Sequence, residues 1–242
     1  MKEEEPSTKL HDPCLFCKSL NNSFLSIEHI FPESLGNKEK ILPKGVVCDK
    51  CNNEILSCLD AELLDFEPIK FLRTIHGVES KKGKVPISSF ENIRIENPNK
   101  GTVYVDLQGS RNFQSHSPNR FDLKFRGNRR MDSVRLKLLA RSLYKIGLEL
   151  IYLDHGRDFT LSTRFDDVRD IILGKKDFNG YLLIGTKKDT EKNGVTYKFL
   201  EDTGIAVFDF NYLFIRILFD MEHRSMDLEN GLKVGQFTVL KF

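Results

Sequence analysis

The sequence lacks the features that mark membrane and secreted proteins. In its 242 residues no unbroken apolar run is long enough to cross a membrane, because the best candidate, 204–219, contains Asp209, Asn211 and Arg216. The first residues, MKEEEPSTK, are acidic and polar, so no secretory signal or transit peptide is visible. We therefore expect a soluble, cytoplasmic protein with no membrane partner.

The number of cysteines is odd, so they cannot all be paired in disulfides within the chain. Of its five cysteines, four form two CxxC pairs, Cys14 with Cys17 and Cys48 with Cys51. This arrangement argues against a secreted disulfide framework and favours metal binding in a reducing compartment. The fifth, Cys58, falls on an apolar helical stretch, where we expect a packed core thiol.

A large net charge is missing, but the charges are unevenly distributed. The formal net charge is +2, yet residues 1–67 carry seven Lys/Arg and thirteen Asp/Glu. The rest of the chain therefore has 30 basic and 22 acidic residues, a balance of +8. This separation suggests that one part binds a cation and the other a polyanion, although two solvated surfaces would have the same composition.

The first quarter of the chain reads as a small module. It is poor in apolar residues and rich in turn formers, and domains of that size usually need a staple such as a metal. From Asn53 onward apolar residues recur at helical spacing, and Glu67-Pro68 is a plausible boundary. We therefore predict two domains, residues 1–67 and residues 68–242.

The second region reads as a mainly antiparallel sheet with one long amphipathic helix. Alternating segments at 92–96 and 102–107 flank a turn and predict a hairpin. An apolar stripe predicts the long helix over 132–152. The other predicted elements are strands over 121–125, 181–185, 196–201, 205–209, 212–219 and 237–240, a helix over 166–173 that ends at Gly174, and a turn at 192–194. The predicted fold class is α+β.

The two CxxC pairs are separated by thirty residues and predict a structural zinc site. Two thiolates at i and i+3 can occupy two corners of a tetrahedron, and a second pair completes it. The alternative is a pair of reduced turns without metal. A closed site of this kind holds structure and carries out no chemistry, so it does not by itself indicate a function.

More specific residues lie between and beside the pairs. Glu28-His29-Ile30 follows the first pair, with Pro32 two residues later, and Asn52 directly follows Cys51. With the two CxxC pairs, this order resembles the HNH endonuclease family, in particular members whose ββα-metal core is framed by such pairs. The resemblance covers roughly residues 12–66, about a quarter of the chain.

The resemblance implies a hydrolytic site. His29 takes the place of the general base that deprotonates a water for attack on a phosphodiester, and an imidazole suits that task near neutral pH. Glu28 and Asn52 take the places of ligands to a catalytic divalent metal, for which Mg²⁺ or Mn²⁺ fits a carboxylate and an amide oxygen. The expected substrate is DNA, cut to a 5′ phosphate and a 3′ hydroxyl.

The chain departs from the family pattern at several positions. Many members have Asp where this chain has Glu28, and the middle Asn of the family is not evident between the histidine and the second cysteine pair. Asn37 is a candidate for bracing the loop. Asn53 competes with Asn52 as a ligand, and Asp60 is either near the metal or a solvated residue.

A basic stripe accompanies the predicted long helix. Lys137, Arg141 and Lys145 recur every four residues, and Arg130 lies shortly before them. The stripe is either a solvated helix face or a surface that contacts the backbone of a nucleic acid.

The sequence is compatible with one leading hypothesis and two alternatives. The leading hypothesis is a metal-dependent endonuclease in phage defence or restriction, acting as a homodimer where it cuts both strands, with an activating partner or signal received by the second domain. One alternative is a catalytically inactive, zinc-stapled nucleic-acid-binding or adaptor protein. Another is an RNase with the same core.

Overall fold

The computed structural model describes residues 12–37, 39–90, 93–99, 101–107, 113–117, 120–123, 133–186, 193–200, 205–221 and 237–241. These residues form helices and antiparallel sheets that follow an N-terminal module containing the four paired cysteines. The predicted α+β class is therefore confirmed. Among these residues no helix is both long and apolar enough to span a membrane.

The module ends in a helix that begins at the second cysteine pair. A π-helical segment, Cys51–Leu56, continues directly into α1, Ser57–Asp65, as the apolar spacing predicted. Phe66 then leaves the helical region at φ −57° and ψ 116°. Pro68 lies in the first turn of α2, Glu67–Ile75, where a missing amide costs no hydrogen bond. The break in the helix therefore falls next to the predicted boundary.

Two small sheets follow α2. Strands β1, Ser88–Phe90, β2, Ile93–Glu96, and β3, Tyr104–Asp106, form an antiparallel sheet in that order. Its β2–β3 hairpin confirms the prediction from alternation. Strands β4, Phe113–Ser117, and β5, Arg120–Leu123, pair with each other. The sequences of β1 and β4 are largely polar, which is why alternation did not predict them.

The long helix α3, Ser133–Leu161, is the centre of the structure. It is longer than predicted, and Gly156 interrupts it with φ 79° and ψ −176°. Every residue from Ser142 to Ile151 is buried. The predicted long helix is therefore confirmed, and its middle turns are covered on all sides and not only along the predicted apolar stripe.

The rest of the chain forms a short helix and a five-stranded antiparallel sheet. Helix α4, Asp166–Ile172, is followed by Gly174 at φ 74°, the predicted stop. The strands are β6, Tyr181–Thr186, β7, Gly194–Leu200, β8, Ile205–Tyr212, β9, Ile215–Asp220, and β10, Phe237–Lys241. Their order is β10-β6-β9-β8-β7. The turn predicted at 192–194 was expected to join β6 and β7, but these strands are not neighbours and form no hairpin. Residue 192 itself lies outside the described residues.

Helix α3 lies between the module and this sheet. On one side the Ser142 hydroxyl donates to the carbonyl of Leu59 in α1 at 2.6 Å. On the other, the Tyr144 hydroxyl donates to the carbonyl of Asp220 at 2.7 Å. One cluster of buried apolar side chains runs from the cysteine pairs through α3 to the sheet. The division into domains 1–67 and 68–242 stays a prediction, and the apolar core is continuous across it.

Candidate functional site

The four paired cysteines converge as predicted. Their sulfur atoms, from Cys14, Cys17, Cys48 and Cys51, all lie within 4.8 Å of one another. The Cys17 and Cys48 sulfurs are 3.7 Å apart. The backbone amide of Cys48 donates to the Cys14 sulfur at 3.4 Å, and that of Cys51 to the Cys48 sulfur at 3.5 Å. Four converging thiols with amide donors fit a structural Zn²⁺.

The acidities of these thiols differ strongly within the cluster. A hydrogen bond from Cys51 lowers the pKa of Cys14 to about 5. That same hydrogen bond to Cys14, together with burial and the neighbouring thiolates, raises the pKa of Cys51. Burial raises the pKa of Cys17 to about 11. Ionising all four thiols in this space would require a positive charge between them, which a bound Zn²⁺ would supply.

Asp49 holds the loop that lies beside the cysteine cluster. Its carboxylate accepts hydrogen bonds from the hydroxyls of Ser23 and Ser26, each at 2.5 Å, and from the backbone amides of Leu25 and Ser26. The hydrogen bonds from the two serines lower the pKa of Asp49. The loop that leads into residue 28 is thereby tied to the turn between Cys48 and Cys51.

The segment that contains His29 pairs with residues 40–42 in a short antiparallel ribbon. His29 forms an antiparallel bridge with Ile41, the Ile30 amide donates to the Lys40 carbonyl at 3.1 Å, and the Leu42 amide donates to the Glu28 carbonyl at 2.9 Å. Followed by the helix that starts at Cys51, this ribbon gives the expected ββα arrangement. Asn37 braces its turn: the side-chain amide donates to the Phe31 carbonyl at 3.1 Å, and its oxygen accepts from the Lys40 amide at 3.1 Å.

His29 pairs with a carboxylate that the sequence analysis did not select. Its Nε2 lies 2.8 Å from Oε1 of Glu33, which belongs to a short 3₁₀ helix, Glu33–Leu35. The imidazole is 23% exposed and the carboxylate 32% exposed, so solvent reaches both. Lys81 lies 3.7 Å from the other oxygen of Glu33. The spacing of four residues between His29 and Glu33 was the available signal.

Glu28 is next to His29 in sequence but has a different environment. Its side chain is only 4% exposed, and Oε1 lies 2.5 Å from Nζ of Lys145, which is fully buried. Burial raises the pKa of Glu28, and Lys145 opposes that shift. Asp60 also contacts Nζ of Lys145, at 3.1 Å. Asp60 is therefore part of a buried charge cluster and not a plain solvated residue.

Asn52 lies at the start of the π-helical segment. Its amide nitrogen donates to the carbonyl of Ile27 at 3.2 Å, which leaves the amide oxygen as the atom that could bind a metal. The neighbouring Asn53 is exposed, and its backbone carbonyl accepts from the hydroxyl of Ser57 at 2.6 Å. Cys58 is exposed and its thiol contacts the Glu54 carbonyl, so the prediction of a packed core thiol is wrong.

The basic stripe is not one exposed face. Lys137 pairs with Asp177 at 3.2 Å, and Arg141 donates to the carbonyl of Ile172 at 2.8 Å. Lys145 has no exposed side-chain surface, so it cannot contact a nucleic acid, and its assignment to that role was wrong. Arg130 lies outside the described residues.

Several basic residues of the second region pair with acidic residues of the module. Arg135 contacts Glu62 and Asp65, and Arg157 contacts Asp12. Lys145 contacts Glu28 and Asp60 in the buried charge cluster. Part of the excess positive charge of the second region therefore pairs with the excess negative charge of the module.

The comparison with known families agrees with this geometry. Residues 14–65 match the family model described as HNH endonuclease. The match begins at the first cysteine and ends with α1, so it covers the ribbon, the cysteine cluster and the helix, and it confirms the resemblance seen in the sequence. No curated protein and no solved structure matches the chain. These findings support a nuclease-like or zinc-binding function related to nucleic acids.

Proposed function

We propose that this protein is an endonuclease that hydrolyses DNA phosphodiester bonds, with His29 as the general base. The observation that carries the proposal is the His29–Glu33 pair, partly open to solvent, within the segment that matches the HNH endonuclease family. A base must reach both a water and the substrate, and this imidazole is accessible while its ring is held by a carboxylate.

The pair gives each ring nitrogen of His29 a separate task. With Nε2–H donated to Glu33, the lone pair of Nδ1 accepts the proton of the attacking water. Glu33 fixes the ring orientation and stabilises the imidazolium that forms, as a carboxylate behind a catalytic histidine does elsewhere. The cysteine cluster holds the ribbon and helix together and takes no part in the reaction.

A divalent Mg²⁺ or Mn²⁺ would stabilise the charge that develops on the phosphate and the leaving oxygen. By donor chemistry, the carboxylate of Glu33 and the amide oxygen of Asn52 fit such an ion. Glu28, the ligand that the resemblance implies, does not fit, because its carboxylate is buried and already paired with the ammonium of Lys145.

The proposal is tested by cleavage of supercoiled and linear DNA, and of RNA, in EDTA, Mg²⁺ or Mn²⁺. We expect metal-dependent nicking or cutting of DNA that falls by about two to four orders of magnitude in His29→Ala, the usual contribution of a general base. His116→Ala is the matched control, since this exposed histidine lies on β4 outside the matched segment. Zinc content should be the same in all three proteins. Equal cleavage by His29→Ala would contradict the assignment.

A second candidate is favoured by the buried Glu28. The carboxylate at the family's metal-ligand position, Glu28, is paired with Lys145. A module of this kind would keep its zinc-stabilised fold without a catalytic metal. The protein would then be a nucleic-acid-binding or adaptor protein. The two candidates differ in metal content, since an endonuclease needs an exchangeable divalent ion beyond the tightly bound zinc. Binding of DNA with no cleavage in any metal would support the second candidate.

The biological setting and partners belong to the proposal as well. We propose a role in restriction or phage defence, with a homodimer where both strands are cut and a signal received through residues 68–242. A plaque assay with cells that express the wild-type protein or His29→Ala tests the setting, and equal plaque numbers would contradict it. Sedimentation with and without DNA tests the homodimer.

A further inference from the structure

Two buried cations reach the segment that contains His29 and Glu33, and both come from outside residues 14–65. Nζ of Lys145, in α3, donates to the backbone carbonyl of His29 at 2.8 Å and lies 3.4 Å from that of Ile30. Nε of Arg73, in α2, donates to the backbone carbonyl of Ser34 at 2.8 Å. The segment is thus held at both ends: one hydrogen bond is made to the carbonyl of His29, and the other to the carbonyl of Ser34, which follows Glu33.

The position of the Lys145 ammonium is fixed by its own partners. Around Nζ lie Glu28 at 2.5 Å, Asp60 at 3.1 Å and Glu149 at 3.5 Å. Lys145 and Glu149 are fully buried, and the side chain of Glu28 is 4% exposed. Because these acceptors surround the buried ammonium, they restrict its position. The backbone carbonyl of His29, to which it donates, is restricted as well.

From these contacts we propose that Lys145 and Arg73 are positioning residues for the His29–Glu33 pair, and that Glu28 is the counter-ion of Lys145 and not a metal ligand. The kinetic part of this proposal rests on the proposed function. The bond to the His29 carbonyl restrains the backbone that carries the imidazole, and the bond to the Ser34 carbonyl restrains the short 3₁₀ helix that carries Glu33.

The burial of Glu28 supports its assignment as a counter-ion. A hydrated divalent ion would have to displace an ammonium at 2.5 Å and lose its water to reach this carboxylate. Removing one partner of a buried ion pair leaves an uncompensated charge, which is strongly destabilising. Glu28 and Lys145 therefore have to be treated as a unit.

The kinetic experiment compares Glu28→Gln with the double variant Glu28→Gln/Lys145→Met. The double variant removes the ammonium together with its nearest carboxylate and puts side chains of similar size in their places, whereas Lys145→Met alone is expected to unfold the protein. Relative to Glu28→Gln, we expect the double variant to lower kcat on the order of 100-fold, the effect of a misplacement of about 1 Å, with KM for DNA and zinc content unchanged.

Arg73→Met tests the second cation without a change at the charge cluster. We expect it to lower kcat at unchanged KM and zinc content, and Arg73→Lys, which keeps a donor, to restore activity. Lys175→Met is the control for loss of a basic side chain, because Lys175 is 63% exposed and pairs with Asp170. A wild-type kcat in both Arg73→Met and the double variant would overturn the proposal.

Two readouts do not depend on cleavage. The ring signals of His29, assigned in ¹⁵N-histidine spectra by their loss in His29→Ala, should shift in the double variant and in Arg73→Met, and stay in place in Lys175→Met. The affinity for Mn²⁺, measured by electron paramagnetic resonance, should be the same in Glu28→Gln and wild type. Unmoved His29 signals would overturn the positioning role, and loss of Mn²⁺ binding in Glu28→Gln would make Glu28 a ligand.

These readouts also separate the failure of this proposal from that of the proposed function. A wild-type protein that cleaves no nucleic acid refutes the endonuclease, while the shift of the His29 signals still decides whether Lys145 and Arg73 position that ring.

Discussion

Nε2 of His29 lies 2.8 Å from Oε1 of Glu33, four residues further along the chain. The hydrogen bond leaves one ring nitrogen free to accept a proton and fixes the ring that carries it. It also identifies a residue whose role can be measured independently of the cysteine cluster.

Glu33→Gln should lower the rate of DNA cleavage by about 10- to 100-fold, the usual effect of removing a carboxylate that orients a functional histidine. The variant keeps a side chain of the same size but loses the charge that stabilises an imidazolium. Glu39→Gln is the control, because this exposed glutamate lies in the same ribbon turn. Single-turnover cleavage measures both, and equal rates in the two variants would refute the orienting role.

The cysteine cluster predicts a difference between cysteines of the same helix. Cys51→Ser should lose zinc and destabilise the module, since a structural zinc site contributes directly to folding. Cys58→Ser should keep the full zinc content, because Cys58 is exposed and not part of the cluster. Metal analysis after gel filtration and thermal unfolding of the two variants checks this. Zinc retained at wild-type stoichiometry in Cys51→Ser would contradict the four-cysteine site.

The packing of α3 against the sheet predicts that Gly147 cannot be enlarged freely. A Cβ at this position would lie 2.6 Å from the Met221 sulfur and 3.4 Å from Cζ of Phe208, both of which are buried. We expect Gly147→Ala to lower the free energy of unfolding by about 1–3 kcal/mol through overpacking. At Gly101 an added Cβ would meet only the Asn99 carbonyl, at 4.0 Å, so Gly101→Ala is the control. An equal free energy of unfolding in urea for Gly147→Ala and Gly101→Ala would refute this packing.

Local patterns predicted the parts of the fold that depend on local chemistry. The β2–β3 hairpin followed from alternation around a turn, and the metal cluster from two CxxC pairs. The turn between β8 and β9 had no such signal. It lies at Leu213-Phe214, where Leu213 adopts φ 49° without a glycine, and the Leu213 amide donates to the side chain of Asn193 at 2.6 Å. A contact between residues twenty positions apart cannot be read from the turn itself.

The same limit explains the error at Lys145. Spacing of four residues placed it with Lys137 and Arg141 on one helix face, and a charged helix face is usually solvated. Spacing cannot reveal that α3 is covered by α1 on one side and by the sheet on the other. The four-residue spacing of Lys145 and Glu149 was compatible with a surface pair, but both are buried. Burial of charge is a property of tertiary packing, so the sequence predicted the helix and not its surroundings.

Burial of Glu149 predicts the direction in which stability changes with pH. Burial raises the pKa of this carboxyl well above its usual value, and Lys145 opposes the shift. Glu28 and Asp60 lie closer to the same ammonium, at 2.5 and 3.1 Å, than Glu149 does at 3.5 Å. Between the unfolded pKa, about 4.3 for glutamate, and the raised pKa in the folded state, the folded protein binds more protons than the unfolded chain.

The free energy of unfolding therefore falls as pH rises through this window. Glu149→Gln removes this carboxyl, so the stability of the variant should fall less steeply as the pH rises above about 4.3, by up to about 1.4 kcal/mol per pH unit. Glu39→Gln, at an exposed position, should follow the wild-type slope. Urea unfolding at a series of pH values, with zinc content measured at each, gives the three slopes. An equal slope in Glu149→Gln and wild type would mean that Glu149 is ionised in the folded protein, with Lys145 outweighing its burial.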